Sequence, residues 1–598
     1  MLIRKNERGS ALLISIFLIV IFTILGIVIS SAVINSARNV KTTEDHFQGK
    51  ILAEMGVEHV QKELKKRFKT RDSLVNLDAD PYIKLLKDGI TITLKPTNNS
   101  YTIQLKTNDA SFVSNPLSGD YAPYNYKAEL ISTGKPANGN SKPYILAANI
   151  YINTIPAAFH YAVSTPGELR LFGGSNVIGD VYADKKMVLS DAIRYKDSGD
   201  YKVNEPTEVP GGPKNKPYIQ GFINIPKDGF QYNVKPTVKT LGTKPPILDY
   251  EIDSTIPPIT KDSFARDSIK SLFLPLGDTP PDTGKITPNV SYEAGYEAPF
   301  IRTGQSASVA SDFQDIINPG VPSTASNLTE VIQYYVNKPG AYQVISLNDS
   351  DFEYTSPSNK PNGFNNDSIK PLYFDINSTI SNETDNYQTP FIRMAGNVLN
   401  QGIPAIYINS NGTKRVNVEL GTPASFGDST NTDPFTFDGV MYIKGNLDIL
   451  GDIAVTGTIF VDGDVLINDI NTLQPKNLVI LSTGTITFEK QNTNKSIDKI
   501  NPLNVFLYSE KNLELYAYDS VVKINGSIFG GLYNEEGSNE NKGYIELNAK
   551  RDLSDSKGRT RLTIQFNQNI FDSPTKGLPS SRNVYVDIFE LHQKTKED

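Results

Sequence analysis

The chain contains no cysteine. Disulfides, thiolate zinc sites, iron–sulfur clusters and thiol nucleophiles are therefore all excluded. Histidine is scarce: the four residues His46, His59, His160 and His592 include no HExxH or other helical metal pair, so zinc catalysis is not expected. Positive charge does not predominate. The formal net charge is −7, which argues against nucleic acid as a partner. No nucleotide loop of the form GxxxxGK[ST] occurs, because the Gly-Lys pairs at Gly49, Gly134 and Gly284 lack a glycine five positions earlier.

What the chain does have is length and apolar material. At 598 residues, 38 % of them hydrophobic and 10 % aromatic, it has enough to bury real cores, and the size suggests roughly three or four structural units.

The N-terminus carries one long hydrophobic run. From Ser10 to Ala37 there is no charged residue, and Ala11 to Ile34 reads ALLISIFLIVIFTILGIVISSAVI, 24 residues. A helix of that length covers about 36 Å, enough to cross a hydrocarbon core of about 30 Å with some tilt. The run exceeds the apolar region of a secretory signal peptide, and no small-x-small cleavage site follows it. Arg4, Lys5 and Arg8 precede it against Glu7 alone, so the N-terminus is expected to be cytoplasmic and the bulk of the chain outside. The helical pattern continues past the span. Ala53, Val57, Val60, Leu64 and Phe68 recur three or four apart and form one apolar stripe. From Ser10 to Phe68 such a helix would reach roughly 90 Å, with Gly49 and Gly56 as candidate kinks because each lowers helix propensity by about 1 kcal/mol.

These residues resemble a known family. The run Arg8-Gly9-Ser10-Ala11-Leu12, the apolar stretch behind it with Ile14, Phe17, Phe22 and Gly26, and the segment Ala53-Glu54-Met55-Gly56-Val57-Glu58 look like the N-terminal domain of PilX-type minor pilins and, more distantly, the large pseudopilin of type II secretion. The resemblance covers about sixty residues. It implies a short basic leader (1–9) cut by a prepilin peptidase after Gly9, Ser10 as the first mature residue, and a helix that packs with other pilin-like subunits in a filament. Ile14 stands where major pilins carry Glu, which points to a minor or tip position. The same residues also fit an ordinary single-pass anchor with a helical stalk.

Residues 69–158 change character. ITITLK (90–95), YTIQLK (101–106), YNYKAELIST (124–133) and YILAANIYI (144–152) read as strands separated by Asn, Gly and Pro, a pilin-like antiparallel sheet able to cover the stripe of the helix. Farther on, Gly439, Gly445, Gly451, Gly457 and Gly463 recur every six residues. The second residue after each glycine is Met441, Leu447, Ile453, Ile459 or Val465, and the fourth is Ile443, Ile449, Val455, Val461 or Ile467. Apolar positions two apart lie on one face of a strand, and glycine permits a tight corner, so the hexads predict the coils of a parallel β-helix. The spacing resembles that of bactofilins. A weaker copy stands at Gly167, Gly173 and Gly179, with Leu169, Leu171, Val177, Val181 and Ala183 in matching places and Ser175 breaking the pattern. The expected class is thus α+β: helix 10–68, sheet 69–158, a first piece of β-helix at 159–189, an inserted domain at 190–435, and the main β-helix with C-terminal strands at 436–598. The insertion is rich in Pro, Asn and Ser, and its one helical segment is LTEVIQYYVN, after Asn327.

No catalytic residue, metal site or cofactor is assigned. Gly173-Gly174-Ser175-Asn176 begins like a nucleophile elbow but ends in Val177 within a hexad. Asp349, Asp351 and Glu353, and the segment from Asp428 to Asp433, carry oxygen ligands suited to Ca²⁺ but lack the glycine and distal Glu of an EF-hand, so they read as solvated loops. Glu54 and Glu58 lie one turn apart, either as an exposed face or as salt-bridge partners of another pilin helix. The expected function is a minor pilin-like component whose β-helix is an adhesive or structural display module, with a host surface or glycan as the candidate partner. The rival is a membrane-tethered carbohydrate-active enzyme, for which the clean hexads offer only Asp452, Asp464, Thr456 and Asn446 outward and no evident carboxylate pair. A third alternative is an uncleaved surface scaffold.

Overall fold

The computed structural model describes residues 7–252 and 343–594, each with short gaps, together with Asn289–Ser291. Residues 1–6 of the expected leader and the helix expected after Asn327 lie outside the described residues. The chain forms two units, one of residues 1–112, 125–153 and 583–598 and the other of residues 113–124 and 154–582.

The first unit is built on one continuous helix, Glu7–Arg67. Its apolar N-terminal half is exposed, and it is the one helix among the described residues that is long and apolar enough to cross a membrane. Thr23, inside the span, donates its hydroxyl to the Ile19 carbonyl at 2.7 Å, so that polar group is satisfied within the helix. Farther along, Ala53, Val57, Val60, Leu64 and Phe68 are all buried, as the stripe predicts. They pack on an antiparallel sheet of strand order Ile90–Leu94, Asn99–Lys106, Asn125–Lys135, Tyr144–Asn153 and Tyr585–Gln593.

The helix does not break at its glycines. Instead, a Cβ on Gly56 would collide with the Ser132 hydroxyl, and one on Gly49 would stand 3.1 Å from the Cβ of Tyr144. On the facing strand a Cβ on Gly134 would overlap backbone of the helix at Gly49 and Ala53. Gly49, Gly56 and Gly134 therefore set a close helix–sheet approach that side chains would prevent.

The C-terminal strand corrects the expected boundaries. Tyr585–Gln593 does not extend the repeat region; it pairs antiparallel with Tyr144–Asn153, in a register that sets Tyr585 opposite Asn153. Val586 is buried and its carbonyl accepts from Gln61 Nε2 of the helix at 3.1 Å, while Lys594 reaches Glu129 at 2.8 Å. Residues 154–582 are thus an insertion between two adjacent strands of one sheet. Nothing in local sequence marks this, since the partners are more than four hundred positions apart.

In the second unit, strands alternate between two parallel sheets of 12 and 11 strands, and Tyr218–Gln220, Asn176–Ile178, Leu562–Gln565 and Val522–Asn525 add a third, four-stranded parallel sheet. Phe435–Ile443 pairs with Ile453–Val461 in one sheet, and Gly445–Leu450 with Val465–Asn468 in the other. Each pass through both sheets makes one tier, and here three hexads make a tier, since Gly439 is the register partner of Gly457. All ten hexad aliphatics are buried, in one core cluster that also contains Leu169, Leu171, Val177, Val181 and Ala183.

The tiers follow a spatial order that differs from sequence order. They run from Gln343–Asn348 to Leu562–Gln565, and the earlier segment then stacks on the end of the later one. Tyr544–Ala549 pairs with Glu168–Gly173, and Leu562–Gln565 with Asn176–Ile178. Residues 163–231 continue outward from there, through Val181–Ala183, Lys186–Ser190 and Phe222–Asn224.

The separate inserted domain expected over 190–435 is corrected for its described C-terminal part, while residues 253–288 and 292–342 lie outside the described residues. Residues 343–421 supply tiers of the same stack through Leu372–Asn377, Phe391–Ala395, Ala405–Ser410 and Val416–Gly421, whose inward residues join the common core. Their connections differ in length, which hides the six-residue period that made residues 439–467 legible.

Candidate functional site

Of the residues expected to mark the anchor, Leu12, Ile14, Phe17 and Phe22 are each more than half exposed, and nothing lies within 4 Å of a Cβ built on Gly26. This is an uncovered apolar cylinder, the surface that lipid or other apolar helices would cover. Gly9, Ser10 and Ala11 are helical in backbone. Glu54 and Glu58 are exposed and pair within the helix, Glu54 with Lys50 at 3.7 Å and Glu58 with Lys62 at 2.6 Å, contacts worth a few tenths of a kcal/mol each.

The five repeat glycines do not share one role. Gly445, Gly451 and Gly463 stand at strand ends, with Gly451 at φ +89°, as a corner requires. Gly439 and Gly457 instead lie inside the nine-residue strands Phe435–Ile443 and Ile453–Val461, stacked so closely that a Cβ on Gly457 would overlap the Gly439 carbonyl. They are close-approach positions within the sheet rather than corners.

A second feature lies on the outward face of the 11-stranded sheet, where register brings one residue from each tier into line. Glu353, Arg393, Glu419, Asp448, Leu466, Thr487, Glu514, Glu546 and Arg170 are successive register partners. Arg393 neutralises its neighbours, with Nε 2.6 Å from Glu419 and Nη1 3.6 Å from Glu353. At the other end Glu546 and Arg194 are fully buried and paired, and Arg194 also donates to the Thr237 carbonyl at 3.0 Å. Arg170 lies over the Tyr544 ring at 3.8 Å, with Glu168 at 3.1 Å and Glu546 at 3.5 Å. These groups fasten the strands Ile193–Asp197 and Val234–Lys239 to the sheet.

Between the two ends the row is open. A groove of about 600 Å³ is lined by Asn446, Asp448, Asp464, Thr487, Asn512, Glu514 and Tyr544, with Tyr201 and Leu248 among its walls. Its polar groups are held in order: Asn446 Oδ1 accepts from Asp464 N at 3.1 Å, Asp464 Oδ1 from Thr485 N at 2.8 Å, and Asn512 Oδ1 from Tyr544 N at 3.1 Å. Glu514 accepts from the hydroxyls of Tyr516 at 2.9 Å and Tyr544 at 2.8 Å. Burial, with Glu546 next, raises the Glu514 carboxyl, and those hydroxyls oppose the rise. Asp448 is pushed up to about 6, first by burial and then by the charges of Glu419 and Glu489.

Sequence reasoning found Asn446 and Asp464 as outward residues but missed the row. Alternation within VNVEL (416–420) and NLDIL (446–450) marks Glu419 and Asp448 as outward, whereas their alignment follows from the tier register alone. Ser175, in the would-be nucleophile elbow, is fully buried at the turn between Glu168–Gly173 and Asn176–Ile178. Asp351 accepts from Phe391 N at 3.0 Å, while Asp349 and Asp428 lie outside the described residues. Among the described residues no three of His, Cys, Asp or Glu converge as metal ligands.

No family model matches the chain, and no curated protein matches it. Among solved structures, the competence-associated pilin ComZ from Thermus thermophilus is similar over 92 % of this chain and 97 % of its own, at 10 % identity and a TM-score of 0.24. A score that low does not establish a shared fold.

Proposed function

We propose that the protein is a minor pilin-like or pseudopilin-like component of a type IV pilus or related surface filament. In this reading a prepilin peptidase cuts after Gly9, Ser10 becomes the mature N-terminus, and the helix assembles with other pilin-like subunits. The rest of the chain lies outside the cell and displays a parallel β-helix as an adhesive or structural module, without catalysis.

One observation carries the proposal. A single 61-residue helix has an uncovered apolar half, and its Ala53–Phe68 stripe is buried under an antiparallel sheet. A simple anchor has no need of a second half packed into a sheet. Ile14, an apolar residue in place of the pilin Glu, suits a rare rather than a repeating subunit.

N-terminal sequencing of the protein from cells that contain a prepilin peptidase is the direct test. A mature chain beginning at Ser10 is expected; an intact Met1 leaves the uncleaved scaffold instead. The carboxylate row favours one other reading, a tethered carbohydrate-active enzyme, and turnover of cell-wall or pectin-like glycans by the purified chain would establish it.

A further inference from the structure

We infer that the groove on the 11-stranded sheet binds an extended oligosaccharide strand that carries no anionic groups.

The groove's shape comes first. Its floor crosses successive tiers, from Asn446 and Asp448 through Asp464 and Leu466, Thr485 and Thr487, Asn512 and Glu514, to Tyr544. Parallel strands lie about 4.8 Å apart, so five tiers present a polar strip about 19 Å long with side chains repeating along the stack axis. An extended chain of β-linked hexoses has a similar rise per unit. Each sugar would meet at least one polar side chain from its own tier, in turn Asn446 and Asp448, Asp464, Thr485 and Thr487, Asn512 and Glu514, and Tyr544.

The chemistry of the lining narrows the class. Asn446, Thr485, Thr487 and Asn512 offer donors and acceptors, and Asp448 and Asp464 offer carboxylate oxygens, the partners that hydroxyl groups need. Among the described lining residues there is no Lys or Arg, so phosphate and uronate chains would meet the carboxylates of Asp448 and Asp464. A peptide adding as a strand needs a free sheet edge. Here Val465–Asn468 and Ile486–Lys490 are each paired on both sides. Leu248, Val465 and Leu466 are too few to hold a lipid chain.

This inference names a ligand class for the display module proposed above, and so rests on that reading of the β-rich unit. It is independent of Gly9 cleavage, so a failed binding assay and a failed processing assay are distinguishable.

The test is titration calorimetry on the full chain in detergent, with cellopentaose, the N-acetylglucosamine pentamer and pentagalacturonate as probes. Saturable binding of at least one uncharged pentamer, with none for pentagalacturonate, is expected. Thr487→Arg, which places a long side chain on the groove floor, should lower affinity at least tenfold. Asp448→Asn, which keeps the shape of the site, should lower it several-fold at pH 7.5. Circular dichroism confirms that both variants are folded. Absence of saturable binding by either uncharged pentamer, equal binding of pentagalacturonate, or unchanged affinity in Thr487→Arg overturns the inference.

Discussion

Replacing Asp448 by Asn should stabilise the protein, and only above a defined pH. In the folded chain its carboxyl is raised from 3.8 to about 6, by burial first and then by Glu419 and Glu489. In the unfolded chain it returns to the ordinary aspartate value. Below about pH 4 both states hold the proton and the residue contributes nothing. As the pH rises from 4 to 6 the unfolded chain loses its proton first, so the folded state becomes relatively less stable; above about 6 the penalty is complete. A rise of about two units corresponds to about 3 kcal/mol, and the opening of the site to the groove reduces this to about 2 kcal/mol. Asparagine cannot ionise, so the variant escapes the penalty. Paired thermal scans of the full-length parent and Asp448→Asn from pH 4 to 8 measure it. The difference in midpoint should rise between pH 4 and 6 and level off on the order of 3 °C higher. A difference that is the same at pH 4 and pH 8 would refute the reasoning, because any effect of packing alone is independent of pH.

Gly134→Val should loosen the helix–sheet contact by about 1–3 kcal/mol, since a Cβ there meets backbone that cannot move aside; faster hydrogen exchange in residues 49–67 is the readout. Glu546→Ala leaves the fully buried Arg194 without its carboxylate and should cost about 3–5 kcal/mol. Combining it with Arg194→Met should restore part of that loss, as a double-mutant cycle by denaturant unfolding will show. Leu64→Ala, at a fully buried position of the stripe, should destabilise the first unit by about 2–5 kcal/mol. Removal of residues 583–598 should expose the free edge of Tyr144–Asn153 and speed its amide exchange, while the Phe435–Asn468 tiers keep their protection.

The parts of the fold legible in the sequence are those with a short period. The stripe from Ala53 to Phe68 and the hexads from Met441 to Ile467 carry their own spacing, and each is buried as that spacing implies. What was not legible depends on partners distant in the chain. Glu546 and Arg194 are 352 positions apart, and Tyr585 pairs with Asn153 across the whole inserted unit. The groove falls between these cases. Its outward residues follow from alternation, but the row they form requires the tier register, and unequal connections remove that register from the sequence. Gly49 and Gly56 make the same point from the other side: read locally they suggest kinks, whereas the facing strand makes them contact positions.

The order of synthesis gives the late-made strands a particular weight. During translation, Tyr144–Asn153 is complete long before Tyr585–Gln593 exists, and Glu168–Gly173 long before the Tyr544–Ala549 strand on which it stacks. Tyr144–Asn153 and Glu168–Gly173 each find one partner early, in Asn125–Lys135 and Lys186–Ser190, and keep one open edge until a strand made hundreds of positions later arrives. A chain released before residue 544 closes neither, and its open edges are available to proteases and chaperones. Closure of the stack thus waits on Tyr544–Ala549 and closure of the sheet on Tyr585–Gln593, both made long after the strands they cover.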